Sequence, residues 1–161
     1  MAKNNPLNGV GTLGNAALFN QVHAAFLCSR RVTPQAILKS LDWATQMRRE
    51  NRVIMGAFQS PLERKVLDFL LRGTQGIILV LARPLWKAPP LHLREPLNQN
   101  RLLIISPFPN SPSRVNSSMA LRRNEWILSQ APRLILGSLD PSGSLSHLLS
   151  SHPSLPYTLF D

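Results

Sequence analysis

Two arginines and a serine directly follow a short apolar segment near the start of the sequence. The apolar residues are Val22–Leu27, and the segment CSRR (28–31) comes next. Thr33 and Pro34 are then the residue types that begin a helix, as N-cap and first helical residue. The loop between a strand end and a helix N-terminus is where α/β proteins bind phosphates. The candidate phosphate ligands in this loop are Ser29, Arg30 and Arg31.

Four further segments of similar composition follow apolar runs later in the chain. They are GAFQS (56–60), ARPLWK (82–87), SPFPNS (106–111) and GSLDPSGS (137–144). If the apolar runs are parallel strands, right-handed crossovers place all five loops at one edge of the sheet. Hydroxyl, guanidinium and backbone N–H groups at that edge are suited to phosphate binding. The further candidates from these loops are Gly56, Arg83, Ser106, Ser142, Gly143 and Ser144.

Extended and helical patterns alternate along the chain and position these loops. The predicted strands are short and almost wholly apolar, as expected for strands buried on both faces; they cover 22–27, 52–55, 76–82, 102–106, 133–137 and 157–160. The predicted helices cover 34–49, 61–71, 116–129 and a short segment that ends at Ser150, and a proline-rich loop covers 83–92. This alternation predicts an α/β fold, a Rossmann-like three-layer sandwich with a mostly parallel sheet. We expect an extended lead-in over residues 1–15 and one domain over residues 16–161.

The charge balance is the most unusual property of the composition. The 161 residues include 18 Lys and Arg against 8 Asp and Glu, a formal net charge of +10. Such a charge favours a polyanionic partner, either nucleic acid or an acidic membrane surface. Arginine supplies most of it and pairs well with phosphate, although GC-rich coding would produce the same bias. The longest apolar run, residues 76–82, is too short to span a bilayer, so we expect a soluble protein with no membrane partner.

Few residues of the chain are suited to catalysis or metal binding. The single cysteine, Cys28, excludes a disulfide framework and a thiolate zinc site, and favours a cytoplasmic protein. The histidines lack metal-ligand spacing; they are His23, His92, His147 and His152. Acidic residues near the predicted edge are limited to Asp140 and Glu125, with no nucleophile or base beside them. We therefore expect no enzymatic activity and no cofactor.

Several short segments match, in order, the motifs of one known family. They are GNAALFN (14–20), CSRR (28–31), MGAFQSPLERKVLDFLLRG (55–73), GIILVLARPL (76–85), LLIISPFP (102–109), RRNEWILSQAPRLILG (122–137) and PSGSL (141–145). Together they resemble the Rossmann-like domain of the DNA-processing protein A (DprA/Smf) family, within the SLOG superfamily. The resemblance covers Gly14 to Phe160. It implies single-stranded DNA binding without covalent chemistry, a RecA-type recombinase as partner, and a homodimer.

The chain also departs from the family pattern at several motif positions. Cys28 replaces the glycine of Gly-Ser-Arg, Pro107 replaces the glutamate of Ser-Glu-x-Pro, and Glu125 replaces the second arginine of Arg-Asn-Arg. The segment SPLERKV (60–66) lacks the aspartate and histidine of the family. The length leaves no room for the family's sterile-alpha-motif-like and winged-helix domains, so we expect a diverged stand-alone module.

The resemblance implies a DNA groove at the carboxyl edge of the sheet. It adds the helix residues Arg122, Arg123 and Asn124 to the phosphate contacts, and Phe108 and Trp86 as rings that could stack on bases. Each assignment has an alternative. The arginines could be solvated charges or partners of Glu125 and Asp140, the Ser-Gly-Ser segment could serve only as a turn and cap, and Trp86 could pack in the core.

Two other functions remain open at the level of sequence. Other SLOG proteins bind or cleave nucleotides, and the Lonely-guy branch uses a Pro-Gly-Gly-x-Gly-Thr-x-x-Glu motif. The corresponding loop here, LDPSGSLSHLL (139–149), has no downstream glutamate. The chain could therefore bind a small nucleotide without turning it over. Alternatively, the apolar groups of residues 83–92 and 150–160 could serve a protein partner, with the positive charge incidental.

Overall fold

One seven-stranded sheet organises the fold in the computed structural model, which describes residues 6–111 and 115–161. The strands are β1 (Gly11–Gly14), β2 (Val22–Leu27), β3 (Val53–Gly56), β4 (Ile77–Val80), β5 (Leu102–Ser106), β6 (Leu134–Leu136) and β7 (Tyr157–Leu159). Their order in the sheet is β1-β5-β4-β3-β2-β6-β7. All neighbouring strands are parallel except β1, which is antiparallel to β5. The predicted α/β fold with a mostly parallel sheet is confirmed.

Helices cover both faces of the sheet. They are α1 (Pro34–Arg49), α2 (Pro61–Leu71), α3 (Leu91–Asn98), α4 (Ser117–Gln130) and α5 (Ser144–Ser150), with a 3₁₀ helix at Ala16–Gln21. Buried residues of α1, α2 and α3 pack with Phe26, Ile54 and the other strand residues that face them. Buried residues of α4 and α5 pack on the opposite face. The three-layer arrangement follows because alternate strand residues point to opposite faces and both sets are apolar.

The order of the strands reverses at β2, and this reversal positions the candidate site. From β2 the chain continues to β3, β4 and β5 on one side, and it returns through α4 to β6 and β7 on the other side. The carboxyl ends of β2 and β6 therefore border a crevice at the topological switch point, where open α/β sheets bind their ligands. The loops that follow these two strands contain the CSRR and GSLDPSGS segments.

Three elements were not predicted from the sequence, and one of them is the 3₁₀ helix at Ala16–Gln21. Helix α3 begins directly after Pro90, within the segment interpreted as a proline-rich loop, and includes Pro96. Strand β1 lies in the glycine-rich lead-in, where it pairs with β5 at the edge of the sheet. The first five residues of that lead-in, and residues 112–114 of the loop before α4, lie outside the described residues.

Candidate nucleic-acid interface

The loops that follow β2 and β6 are held together by hydrogen bonds at the switch point. The Ser29 N–H donates to the Ser138 carbonyl (3.0 Å), and the Ser29 Oγ accepts from the Asp140 N–H (2.9 Å). The Ser138 hydroxyl in turn donates to the carbonyl of Arg31 (2.6 Å). Ser29 and Ser138 therefore fix the backbone of the loop to which Arg30 and Arg31 belong.

The side chains of Arg30 and Arg31 are exposed at this crevice. Within residues 6–111 and 115–161, neither guanidinium donates a hydrogen bond or forms an ion pair. The backbone beneath them is ordered by Ser29 and Ser138, while their charged ends are available. A fixed loop with two free guanidinium groups is suited to binding an anion from solvent.

Asp140 lies on the opposite side of the crevice and is held by the Ser-Gly-Ser segment. Its carboxylate accepts from the Ser142 N–H (3.1 Å) and the Ser142 hydroxyl (3.0 Å). These hydrogen bonds, followed by the positive charge of Arg31, lower the pKa of Asp140 below its ordinary value. The Gly143 N–H donates to the Asp140 carbonyl (3.0 Å), and exposed Ser144 begins α5. These contacts agree with turn and cap chemistry, and phosphate binding by Ser142, Gly143 and Ser144 stays a prediction.

A buried carboxylate supports two of the edge loops. Glu63 is 5% exposed, and its Oε2 accepts from the Cys28 N–H (2.9 Å) at the end of β2. Its Oε1 accepts from the N–H groups of Gln59 (3.0 Å) and Ser60 (3.1 Å) at the start of α2. Glu63 was not predicted as a site residue from the sequence, although the Ser60-x-x-Glu63 spacing of a capping box was a usable signal.

Arg123 lies beneath the edge loops and not on a solvated helix face. Only 5% of it is exposed; its Nη1 donates to the Gln59 Oε1 (2.6 Å) and its Nε donates to the Asn124 Oδ1 (3.0 Å). Burial lowers the pKa of Arg123, and the negative charge of Glu63 partly opposes this change. Gln59 therefore links the two buried charges, because its backbone contacts Glu63 and its side chain contacts Arg123.

A cavity of about 460 Å³ opens beside Arg123, at the carboxyl ends of β3 and β4. Its polar lining includes the predicted ligands Arg83 and Arg123, and its aromatic lining includes Phe58 and Trp86. The remaining charged or titratable lining residues are Arg64, Asp68 and His92. Candidates predicted from the sequence include Arg83, Arg123 and Trp86, but their position around one cavity was not predicted.

Ser106 and Gly56, two other predicted ligands, contact residues that line this cavity. The Ser106 side chain is fully buried, and its hydroxyl donates to the Arg83 carbonyl (2.6 Å). Gly56 ends β3, and a Cβ atom there would lie 2.9 Å from the ring of Phe58. In this conformation Ser106 positions Arg83, and Gly56 allows Phe58 to pack closely.

The two aromatic residues named as base-stacking candidates each lie beside an arginine. The Arg122 guanidinium is 4.7 Å from the centre of the Phe108 ring, and the Arg83 guanidinium is 5.6 Å from the Trp86 ring. Arg122 is exposed, whereas its neighbour Asn124 is half-buried against Arg123. Each pair combines a cation with a flat apolar surface, the combination that binds a nucleotide backbone and its base.

No group of three or more His, Cys, Asp or Glu residues in the described part of the chain could hold a metal ion. Across the same residues, none of the helices has the length and apolar character needed to cross a membrane.

The fold of the chain has relatives among solved structures. No protein-family model matches the chain, and no curated protein matches it. The chain is similar to DNA processing protein A from Helicobacter pylori, whose structure addresses its single-stranded DNA binding mode. That match has a TM-score of 0.73 and 16% identity, and it covers 98% of this chain and 74% of the other.

A second match is DNA processing protein A (DprA) from Streptococcus pneumoniae, again with a TM-score of 0.73 and 16% identity. It covers 93% of this chain and 54% of the other, so the chain spans about half the length of that protein. The fold of this protein is therefore the fold found in DNA processing protein A.

Proposed function

We propose that this protein binds single-stranded DNA at the carboxyl edge of its sheet, without covalent chemistry. The observation that carries this proposal is the Arg30–Arg31 pair at the switch point. Both side chains are exposed and form no hydrogen bond or ion pair with the described residues, on a backbone that Ser29 and Ser138 hold in place. Because the loop is already ordered, binding a phosphate there costs little conformational entropy.

The rest of the edge supports a single-stranded nucleic acid more than a compact anion. The Arg83–Trp86 and Arg122–Phe108 pairs belong to the loops and helix around the same edge. Stacking on such rings requires unpaired bases, and it tolerates any sequence. The net charge of +10 and the DprA-like fold agree with this substrate.

The motif resemblance extends the proposal to the cellular role. We place the protein in DNA recombination in the cytoplasm, with a RecA-type recombinase as partner and with a homodimer as the working form. These assignments rest on the resemblance to the DprA family and on its fold.

Fluorescence anisotropy with a labelled oligo-dT tests the DNA groove. We expect Arg30→Ala/Arg31→Ala to weaken binding about 10- to 100-fold, because each charge-assisted hydrogen bond is worth roughly 1 kcal/mol or more. The matched control is Arg49→Ala/Arg133→Ala, which removes the same charge from exposed residues at the opposite edge of the sheet. Equal losses in the two double variants, or no binding by the wild type at low salt, would contradict the proposal.

A further inference from the structure

We propose that the cavity at the carboxyl ends of β3 and β4 is a second binding site, which takes a nucleoside monophosphate unit. Arg83 and Arg123 would bind its phosphate, and its base would lie against the apolar wall that includes Trp86. The cavity includes the Arg83–Trp86 pair of the edge proposed to bind DNA, but none of the switch-point residues Ser29, Arg30 or Arg31 lines it, so it is a site distinct from the switch point.

The size and lining of the cavity fit a ligand with one flat apolar part. Its volume of about 460 Å³ lies within the range of roughly 300–1,000 Å³ typical of small-molecule sites. Phe58, Leu81 and Trp86 supply an apolar wall, and Phe58 is held in place against Gly56. An inorganic anion would leave this wall in contact with water, whereas a nucleobase would cover it.

The positive charge of the cavity lining favours a ligand that also has an anionic group. The lining residues include the guanidinium groups of Arg64, Arg83 and Arg123, and Asp68 is the carboxylate among them. Arg83 donates through its Nε to the Pro84 carbonyl (3.0 Å), and Ser106 holds the backbone of Arg83. The Nη groups of Arg83 have no acceptor among the described residues and remain for a ligand.

Arg123 is the strongest indication that an anion belongs here. It is 5% exposed, and its Nε and Nη1 are bound to Asn124 and Gln59. Its Nη2 has no acceptor within residues 6–111 and 115–161. Since Arg123 lines the cavity, its Nη2 is the donor that remains to bind a phosphate oxygen there.

A nucleoside monophosphate unit is present in a free nucleotide and also at the phosphorylated 5′ end of a DNA strand.

Isothermal titration calorimetry with dTMP and with thymidine tests whether the cavity binds such a unit. We expect saturable dTMP binding and at least tenfold weaker thymidine binding. We further expect at least a tenfold loss with Arg83→Ala or Trp86→Leu, and no change with Arg133→Ala or Arg30→Ala/Arg31→Ala.

Indole N–H signals in the NMR spectrum locate the ligand independently of affinity. The Trp86 signal, assigned through Trp86→Leu, should shift on addition of dTMP, whereas the signal of core residue Trp43 should not. Absence of saturable dTMP binding, or dTMP binding that Arg83→Ala leaves unchanged, would overturn the second site. The proposed DNA groove has an independent test, because that test uses the Arg30→Ala/Arg31→Ala variant.

Competition against dTMP identifies the source of the nucleotide. If 5′-phosphorylated oligo-dT displaces dTMP more strongly than 5′-hydroxyl oligo-dT, the site binds the strand end. If neither displaces it, the site binds a free nucleotide beside the DNA. Equal displacement by both oligonucleotides would show that dTMP occupies the DNA groove, and this result would overturn a separate site.

Discussion

The arginines of this protein have different roles that their residue type does not reveal. Arg30 and Arg31 are exposed at the switch point, and Arg123 is buried beneath it. Arg101 is also buried, and it donates to the carbonyls of Leu70 and Leu71 at the end of α2 and of Gln75 in the loop that follows. A carbonyl-rich helix C-terminus attracts a cation, so Arg101 stabilises the fold, and each of its three guanidinium nitrogens already donates to a carbonyl.

Arg122 and Arg123 illustrate why such roles are difficult to predict. Successive helix residues point about 100° apart, so one of two adjacent arginines can face solvent while the other is buried. The sequence predicted helix α4 correctly, but not which of its faces would contact the loop before α2. That outcome depends on Gln59 and Glu63, which are distant in sequence and were recognised only in the folded protein.

Cys28 supplies a test of the buried network at the end of β2. Burial, followed by the negative charge of Glu63, raises the pKa of its thiol from 9.0 to about 12. A raised pKa means that the folded state retains a proton which the unfolded state loses, so stability falls as the pH rises from 9 towards 12. Between pH 8.5 and pH 10, we expect wild type to lose about 1 kcal/mol more unfolding free energy than Cys28→Ala.

Urea unfolding at the two pH values measures this difference, and subtraction of the Cys28→Ala values removes the contribution of lysine and tyrosine titration. If the two proteins lose the same free energy, the thiol ionises equally in the folded and unfolded states, and the environment assigned to Cys28 is wrong.

At the scale of elements, helices with clear start signals were the most predictable. Helices α1 and α2 begin and end at the predicted residues because Thr33-Pro34 and Ser60-Pro61 mark their starts. Helix α3 was missed because prolines before and inside it indicate a loop. Strand β1 was missed because four residues with two glycines and little buried apolar surface have no clear strand pattern.

The pairing of β1 with β5 depends on Gly14. Its φ is +100°, and a Cβ atom there would lie 2.2 Å from the Leu102 carbonyl oxygen. We expect Gly14→Ala to lower the unfolding free energy by about 3 kcal/mol, from backbone strain and the lost approach to β5. Chemical denaturation measures the loss.

Gly9→Ala is the matched control, since Gly9 also has a positive φ (+77°) but no atom within 4 Å of the added methyl group. It should cost about 1 kcal/mol, from strain alone. Equal losses for the two variants would mean that β1 contributes nothing through its contact with β5.

At the scale of the whole molecule, the exposed charge at the switch point determines how salt affects DNA binding. Each phosphate contact on a single strand contributes about −0.7 to the slope of log K against log salt concentration. We therefore expect Arg30→Ala/Arg31→Ala to make the slope less steep by about 1.4, and Arg49→Ala/Arg133→Ala to leave it nearly unchanged. Anisotropy titrations across a salt series provide the slopes. Identical slopes in all three proteins would mean that Arg30 and Arg31 do not contact the phosphates.

The central position of β2 has a consequence for the order in which the protein is made. Ala25 pairs with Met55 on one side and with Leu134 on the other. The second pairing cannot form until residue 134 has been synthesised, and contacts between such distant residues form slowly. Ser29 donates to the Ser138 carbonyl, so the Arg30–Arg31 loop gains its fixed shape only after the strand β6 and the loop that follows it are present. A nascent chain is therefore unable to hold a nucleic acid strand in this crevice before Ser138 has left the ribosome.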